Sequence, residues 1–410
     1  MLQLQKMGFS QAYALKGGFV EWTKAGFPTQ NKDFVQETCV ACHQKVTPKI
    51  VRQWKQSAHS SKHNEVSCSV CHTDEHSSVQ DVSQAKPVPE KICRTCHEHE
   101  YVQFRQGKHA RAWQSMLAWP DFHHQGQKAN SQKDCTHCHS IGLKPRTQIG
   151  KLRKQDHPTG AASCNNCHTG HAYSLHQART PQACQPCHSG PDSPQMQAYQ
   201  GSAHGQLFEA SNPRKTLEPN RAPTCQTCHF AEKRHGVQNA WGSLGLRLPW
   251  PEDLKWCQAR RSIIKALGLY APDVGDQIYD QIADLQLMTL SEKRWSFRRS
   301  QMLGTCMQCH EGTWAEEKLD RAEDLLRRAD LLMGQALTLA FEKGAEDSVP
   351  DISSFDPQFS KTEKIVYRMF HIQRKKVLSG AFHSNWSMAE KGLRSMRTAV
   401  QDIKSIQDGR

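Results

Sequence analysis

Sixteen of the 17 cysteines in this 410-residue chain obey one spacing, Cys-x-x-Cys-His, which occurs eight times. The copies are Cys39-Cys42-His43, Cys68-Cys71-His72, Cys93-Cys96-His97 and Cys135-Cys138-His139, followed by Cys164-Cys167-His168, Cys184-Cys187-His188, Cys225-Cys228-His229 and Cys306-Cys309-His310. Only Cys257 stands outside the pattern. Two thiols can add to the two vinyl groups of one porphyrin, and the adjacent histidine reaches its iron from the same face. This is the attachment signature of c-type haem. Zinc knuckles pair two CxxC units and need no histidine after each. A thioredoxin-like redox pair would occur once, beside a βαβ pattern. The sequence therefore predicts eight covalently bound haem c groups.

Eight of the 23 histidines are proximal ligands in this reading, which leaves 15. An electron-transfer haem takes a second axial imidazole. The free histidines best placed for that role are His59, His76, His109, His171, His204, His235 and His383. His63, His99, His123, His124, His137, His157, His176 and His371 make up the surplus, so counting alone leaves open whether every iron has two imidazoles.

The composition fits eight macrocycles better than a conventional core. Only 37% of the residues are hydrophobic and 8% aromatic, lean for a chain of two or three domains. At about 51 residues per haem, porphyrin supplies much of the apolar interior. The formal charge of +13 shrinks to about +5 once each bis-histidine ferric haem contributes roughly −1. With no aromatic-interleaved basic patch, a nucleic-acid partner is not expected. No run of 18 apolar residues marks a membrane-spanning helix.

The motifs need elements to hold them. Seven lie in residues 31–235, with first-cysteine gaps of 29, 25, 42, 29, 20 and 41, which predicts short helices and loops with little sheet. The last gap is 81 residues and contains the Leu248-Pro249-Trp250-Pro251 turn and a helical stretch near 272–301. After His310, Leu319, Ala322, Leu326, Ala329 and Met333 step by three and four, the stripe of an amphipathic helix. Two more helices are expected at about 360–380 and 385–406, separated at Ser379-Gly380. The expected fold is mainly α: an octahaem region at 31–311 and a helical, oligomer-forming region at 312–410. Residues 1–30 stand apart. Gly8-Phe9, Leu15-Lys16-Gly17-Gly18, Glu21-Trp22 and Ala25-Gly26-Phe27-Pro28 resemble the closing strand, turn and helix of a rhodanese domain. No charged segment, apolar segment and cleavage site follow Met1. Haem attachment takes place outside the cytoplasm, so a periplasmic or otherwise exported protein is expected, with its signal upstream of Met1.

Eight motifs followed by long C-terminal helices resemble the octahaem hydroxylamine oxidoreductase family. The likeness is sharpest at Trp54-Lys55-Gln56-Ser57-Ala58-His59, Ser163-Cys164-Asn165-Asn166-Cys167-His168-Thr169-Gly170-His171, Ala178-Arg179-Thr180-Pro181-Gln182-Ala183-Cys184 and Ala222-Pro223-Thr224-Cys225-Gln226-x-Cys228-His229. The resemblance implies a catalytic fourth haem with an open distal position, here on Cys135, Cys138 and His139, with the other haems as bis-histidine wires. It implies a distal acid–base pair at Asp156-His157, and a homotrimer. Hydroxylamine-oxidising members carry a crosslinking tyrosine in the stretch that matches Gly380–Trp386, which has none here; after Tyr279 the only tyrosine is Tyr367. No tyrosine crosslink is therefore expected. The resemblance then favours reduction of nitrite or hydroxylamine to ammonium, fed by a cytochrome or a quinol-oxidising protein. Hydroxylamine or hydrazine oxidation on the same scaffold and an eight-haem electron wire remain open. Octahaem tetrathionate reductases share the haem number but place a lysine on the active iron.

Overall fold

The computed structural model describes residues 32–61, 66–72, 76, 78, 80–82, 87–118, 131–154, 163–211, 222–231, 234–270, 280–341 and 360–409. Within them the chain is helical, with no strand. No helix among the described residues is long and apolar enough to cross a membrane. The rhodanese-like stretch, Asp156, His157, His63, His123 and His124 lie outside the described residues.

The chain divides into two units. The first comprises residues 1–86 and 170–173, the second 87–169 and 174–410. In the first unit, Pro48 restarts the chain after Thr47, so the Lys32–Val46 and Pro48–Lys55 helices follow each other with one residue between them. Proline suits the first helical position because its missing N–H would have no partner there.

The second unit has a conventional apolar core, and it lies in the C-terminal half. Glu311 caps the Gly312–Phe341 helix, its carboxylate accepting from the backbone N–H groups of Thr313 (3.2 Å) and Trp314 (3.0 Å). Ala322, Leu326, Ala329 and Met333 of the expected stripe are buried, and Leu319 is partly so. Ala322, Ala329 and Met333 share a core with Ile263 and Ile264 of the Leu254–Ala266 helix, Val377 and Ala381 of Lys375–Phe382, and Leu393, Met396, Val400 and Ile403 of Trp386–Gln407, while Leu326 and Leu319 pack with Trp241, Leu248, Met302 and Leu378. Each buried Leu, Ile, Val or Met among them contributes roughly 1.5–3 kcal/mol by leaving water.

Two expected boundaries move. The predicted break at Ser379-Gly380 is instead helical, and the chain turns at His383–Asn385. Gly380 is there for close packing: a Cβ would sit 2.7 Å from the Ala389 backbone nitrogen. Asn385 starts the next helix, its side-chain oxygen accepting from Met388 N–H at 3.1 Å. The stretch near 272–301 is not one helix; Asp280–Asp284 and Glu292–Cys306 flank a turn in which Gln286 and Thr289 have positive φ.

A strap at residues 239–248 crosses this core and is held by side chains rather than by sheet pairing. Arg374 Nη1 donates to Leu244 O (2.5 Å), Lys375 Nζ to Ser243 O (2.8 Å), and Arg260 Nη2 to Leu246 O (3.1 Å) and Leu248 O (3.3 Å). Arg374 is itself fixed by Asp330, at 2.8 Å through Nε and 2.7 Å through Nη2, with both side chains fully buried. Trp256 Nε1 donates to the second Asp330 oxygen at 2.9 Å. A buried pair of this kind adds little over an apolar replacement, but loss of one partner strands the other charge. Asp330→Ala should therefore cost about 3–5 kcal/mol. Guanidinium unfolding followed by helical circular dichroism checks this, and a loss of under about 1 kcal/mol would show that Arg374 finds another counter-charge.

Candidate haem centres

Each Cys-x-x-Cys-His motif is close to a single helical turn. The histidine N–H reaches back to the first cysteine carbonyl in the motifs at His97 (2.8 Å), His168 (3.0 Å), His188 (3.0 Å) and His310 (2.9 Å). Residues three and four apart in a turn share a face, which directs both sulfurs and the imidazole to one side. At Cys225 the turn starts with a reciprocal capping box, Thr224 N–H donating to Thr227 Oγ1 at 3.0 Å. All 17 cysteines are free of disulfides.

The motifs dock on one another through short polar contacts. Gln226 Nε2 donates to Ala178 O (2.8 Å) and Thr180 O (2.9 Å), which ties the Ala178–Cys184 stretch to the next motif. His137 Nε2 lies 2.9 Å from Pro186 O, between the fourth and sixth motifs. Trp54 Nε1 donates to Val66 O at 3.2 Å and Ser57 Oγ to Trp54 O at 2.7 Å, which fixes the turn that carries His59.

The imidazoles come in pairs. Ring centroids lie 6.2 Å apart for His43 and His76, 6.0 Å for His72 and His171, and 6.2 Å for His109 and His188. The separations are 6.3 Å for His168 and His235, 5.8 Å for His204 and His310, and 6.2 Å for His229 and His383. A metal–imidazole bond is about 2.0 Å and the ring centroid sits roughly 1.1 Å behind the nitrogen, so two imidazoles on opposite sides of one ion are about 6 Å apart. The six pairs fall on that value. Every pair joins a motif histidine to one of the free histidines expected from sequence. Among the described residues no three or more His, Cys, Asp or Glu converge as a zinc site requires.

The second ring nitrogens point the same way chemically. Nδ1 of His229 lies 2.9 Å from Gln238 O, that of His383 2.8 Å from Ser379 O, and that of His139 2.7 Å from Ala112 O. A carbonyl only accepts, so in each neutral ring Nδ1 carries the proton and Nε2 keeps its lone pair. Asp81 does the same for His76 at 2.8 Å, and Thr47 Oγ1 lies 2.8 Å from His43 Nδ1. Desolvation, then the facing imidazole, pushes His109 and His383 down to about 4. Desolvation also lowers His139, His168, His188, His204 and His229. Neutral, correctly protonated imidazoles at this spacing fit an iron between them.

His59, His97 and His139 stand outside these six pairs. His59 sits edge-on to Tyr173, centroids 5.0 Å apart, within its own unit. His139 faces no second imidazole among the described residues, and Asp156-His157 falls outside them. Lys144, buried beside this motif, has its Nζ committed to the carbonyl oxygens of Ser140 and Gly142. Several positioning groups carried no signal in the sequence, because they are backbone carbonyls. Gly170 is an exception: its φ of +64° turns the chain after the fifth motif, and a Cβ there would meet Gln53 at 2.8 Å.

These centres define a multihaem c-type cytochrome, with haem c bound through its CxxCH motifs. Comparison with known proteins agrees. Residues 64–240 match the family model described as seven times multi-haem cytochrome CxxCH, and residues 12–73 match that of cytochrome c554 and c-prime. The second match begins inside the rhodanese-like stretch. The chain is 27% identical, over 241 residues, to a probable nitrite reductase–hydroxylamine oxidoreductase fusion protein of Kuenenia stuttgartiensis. That match covers 47% of this chain and only 25% of the fusion protein. Among solved structures, a Kuenenia stuttgartiensis reducing HAO-like protein complex aligns with TM-score 0.68 and 19% identity over 92% of this chain and 87% of that one. A hypothetical multiheme protein aligns with TM-score 0.63 and 19% identity over 93% and 99%. The fold is thus the one shared with that HAO-like complex and that multiheme protein.

If His383 is an axial ligand opposite His229, His383→Ala should convert one low-spin ferric haem to high-spin in the EPR spectrum and leave the others. His99→Ala, whose ring bonds Gln103 at 2.8 Å on the surface, should change nothing. An unaltered low-spin signal in the His383 variant would remove it from the ligand set.

Proposed function

We propose that the protein is an exported octahaem cytochrome c that reduces nitrite or hydroxylamine to ammonium at the haem carried by Cys135, Cys138 and His139. The observation that carries this reading is the contrast between sites. Six motif histidines face a partner imidazole; His97 and His139 lie outside these pairs, and His139, on the fourth motif, faces no second imidazole among the described residues. A six-coordinate iron can pass electrons but has no room for substrate, whereas an iron with one protein ligand keeps a position for a small nitrogen compound. The names of the similar proteins, a nitrite reductase–hydroxylamine oxidoreductase fusion and a reducing HAO-like complex, point to the same substrate class.

Haem iron supplies electron transfer and a site for the substrate nitrogen; the chain supplies ligation, access and protons. His139 is held by the Ala112 carbonyl in the tautomer that presents Nε2. Asp156 and His157, immediately upstream of the fifth motif, are assigned the proton supply, since reducing a nitrogen oxide consumes protons with electrons. The paired sites are assigned as the wire that brings electrons from a cytochrome or quinol-oxidising partner. His59 is assigned as a further distal ligand. The reductive direction is favoured because Gly380–Trp386 holds no tyrosine and serves other ends: His383 faces His229 and Asn385 caps a helix. Tyr367 stacks on His371 of its own chain at 4.3 Å. Lys144 is occupied by carbonyls, which disfavours the lysine-ligated tetrathionate chemistry. A periplasmic location follows from covalent haem attachment. The long C-terminal helices are assigned to a homotrimer interface.

Nitrite should perturb a high-spin ferric signal in the wild-type protein, and His157→Ala should lower nitrite reduction by about 10²–10⁴-fold while dithionite still reduces all low-spin haems. An unchanged turnover rate in that variant would take His157 out of the mechanism. An all-low-spin spectrum unmoved by nitrite would leave an electron wire.

A further inference from the structure

A cavity of about 350 Å³ lies where two of the paired-histidine segments cross. Its walls include Gly107 and Lys108, next to His109, and Gly236 and Val237, which follow His235. The segments touch backbone to backbone: a Cβ on Gly107 would sit 2.8 Å from Gly236 O, and His235 N–H donates to Gln103 Oε1 at 3.0 Å. Opposite them, the Glu292–Cys306 helix contributes Arg294 and Arg298 to the wall, and Arg111 completes it.

Every charged residue in this wall is a cation, and none makes an ion pair with a described carboxylate. Lys108 Nζ is met by the carbonyls of Leu285 and Gln286, and Arg111 Nη1 by Asp284 O at 3.1 Å. Arg247, 3% exposed and electrostatically coupled to Lys108 and Arg298, has Nε and Nη2 without partners. Carbonyl dipoles satisfy hydrogen bonds but do not cancel charge, and the four clustered guanidinium groups of Arg111, Arg247, Arg294 and Arg298 repel one another unless an anion enters.

We propose that this cavity is a carboxylate site that takes the propionates of the haems held by His109–His188 and His168–His235. The inference rests on the bis-histidine reading of those two pairs. Irons held by these two pairs would lie on either side of the crossing, and the propionates of their porphyrins would supply the carboxylates that the described wall lacks. The cations stabilise ionised propionate and favour the more negative, reduced haem-plus-propionate unit over the oxidised one more than a neutral wall would. Both potentials are raised. A free inorganic oxyanion would satisfy the same chemistry.

The test is an EPR-monitored redox titration of the holoprotein and its Arg298→Gln and Arg111→Gln variants. One or two low-spin haems should shift to lower potential by about 59 mV or more, a tenfold weaker reduction, while Arg298→Lys stays near the wild type. Low-spin haems present in undiminished number establish the bis-histidine reading independently. Titration with inorganic phosphate at constant ionic strength separates the sources. With propionates in place, wild-type potentials ignore phosphate. Wild-type potentials that move with phosphate, in a manner lost in both variants, would keep the anion site but overturn its assignment to propionate. Unshifted potentials in both variants, with no phosphate effect, would overturn the proposal altogether.

Discussion

The separation of the paired imidazoles, which we propose share one iron each, constrains everything else in this molecule. At about 6 Å between ring centroids, the two histidines must come from different segments and meet across a gap that a porphyrin plane can occupy. The described pairs join residues as far apart in sequence as His229 and His383, or His204 and His310. Each pairing closes a long loop whose entropy something must offset. Among the described residues of the N-terminal part little apolar side-chain core is available for that, and haem is the natural substitute. The four buried residues around Trp113, Met116, Ile149 and Leu152 form only a small cluster by comparison with the C-terminal core.

That C-terminal core works in the opposite way. Leu325, Ala329, Met333, Phe370 and Leu393 give it ordinary close packing, and the Asp330–Arg374 pair fixes one register among the helices. Through Arg374, Lys375 and Arg260 the helices hold the 239–248 strap, and the strap begins one residue after Gln238, whose carbonyl orients His229. His383 sits at the end of the Lys375–Phe382 helix and faces the same His229. The His229–His383 pair is therefore braced on both sides by the helical core, so a helical bundle that holds no motif of its own after His310 can still serve a haem centre.

Much of this was legible in the residues. The motif is local, so Cys-x-x-Cys-His marks each attachment point without knowledge of the fold. His76, His109, His171, His204, His235 and His383 stood out among the free histidines, and each meets a motif histidine. Which meets which was not legible, because pairing depends on tertiary closure: His76 faces His43 rather than the nearer His72, and His171 faces His72 rather than its neighbour His168. The carbonyls of Ala112, Gln238 and Ser379 could not be foreseen, since a backbone acceptor has no sequence signature. Gly380 misled for a physical reason. A glycine reads equally as a helix end and as a close helix crossing, and the packing of Ala389 decides for the crossing.

We propose that iron porphyrins on all eight motifs supply the apolar interior around the motifs and consume sixteen thiols. The most direct test is iron content per chain together with thiol alkylation of the denatured, exported protein. The account predicts eight irons and a single modifiable cysteine, Cys257. Fewer irons, with label on any motif cysteine, would contradict it.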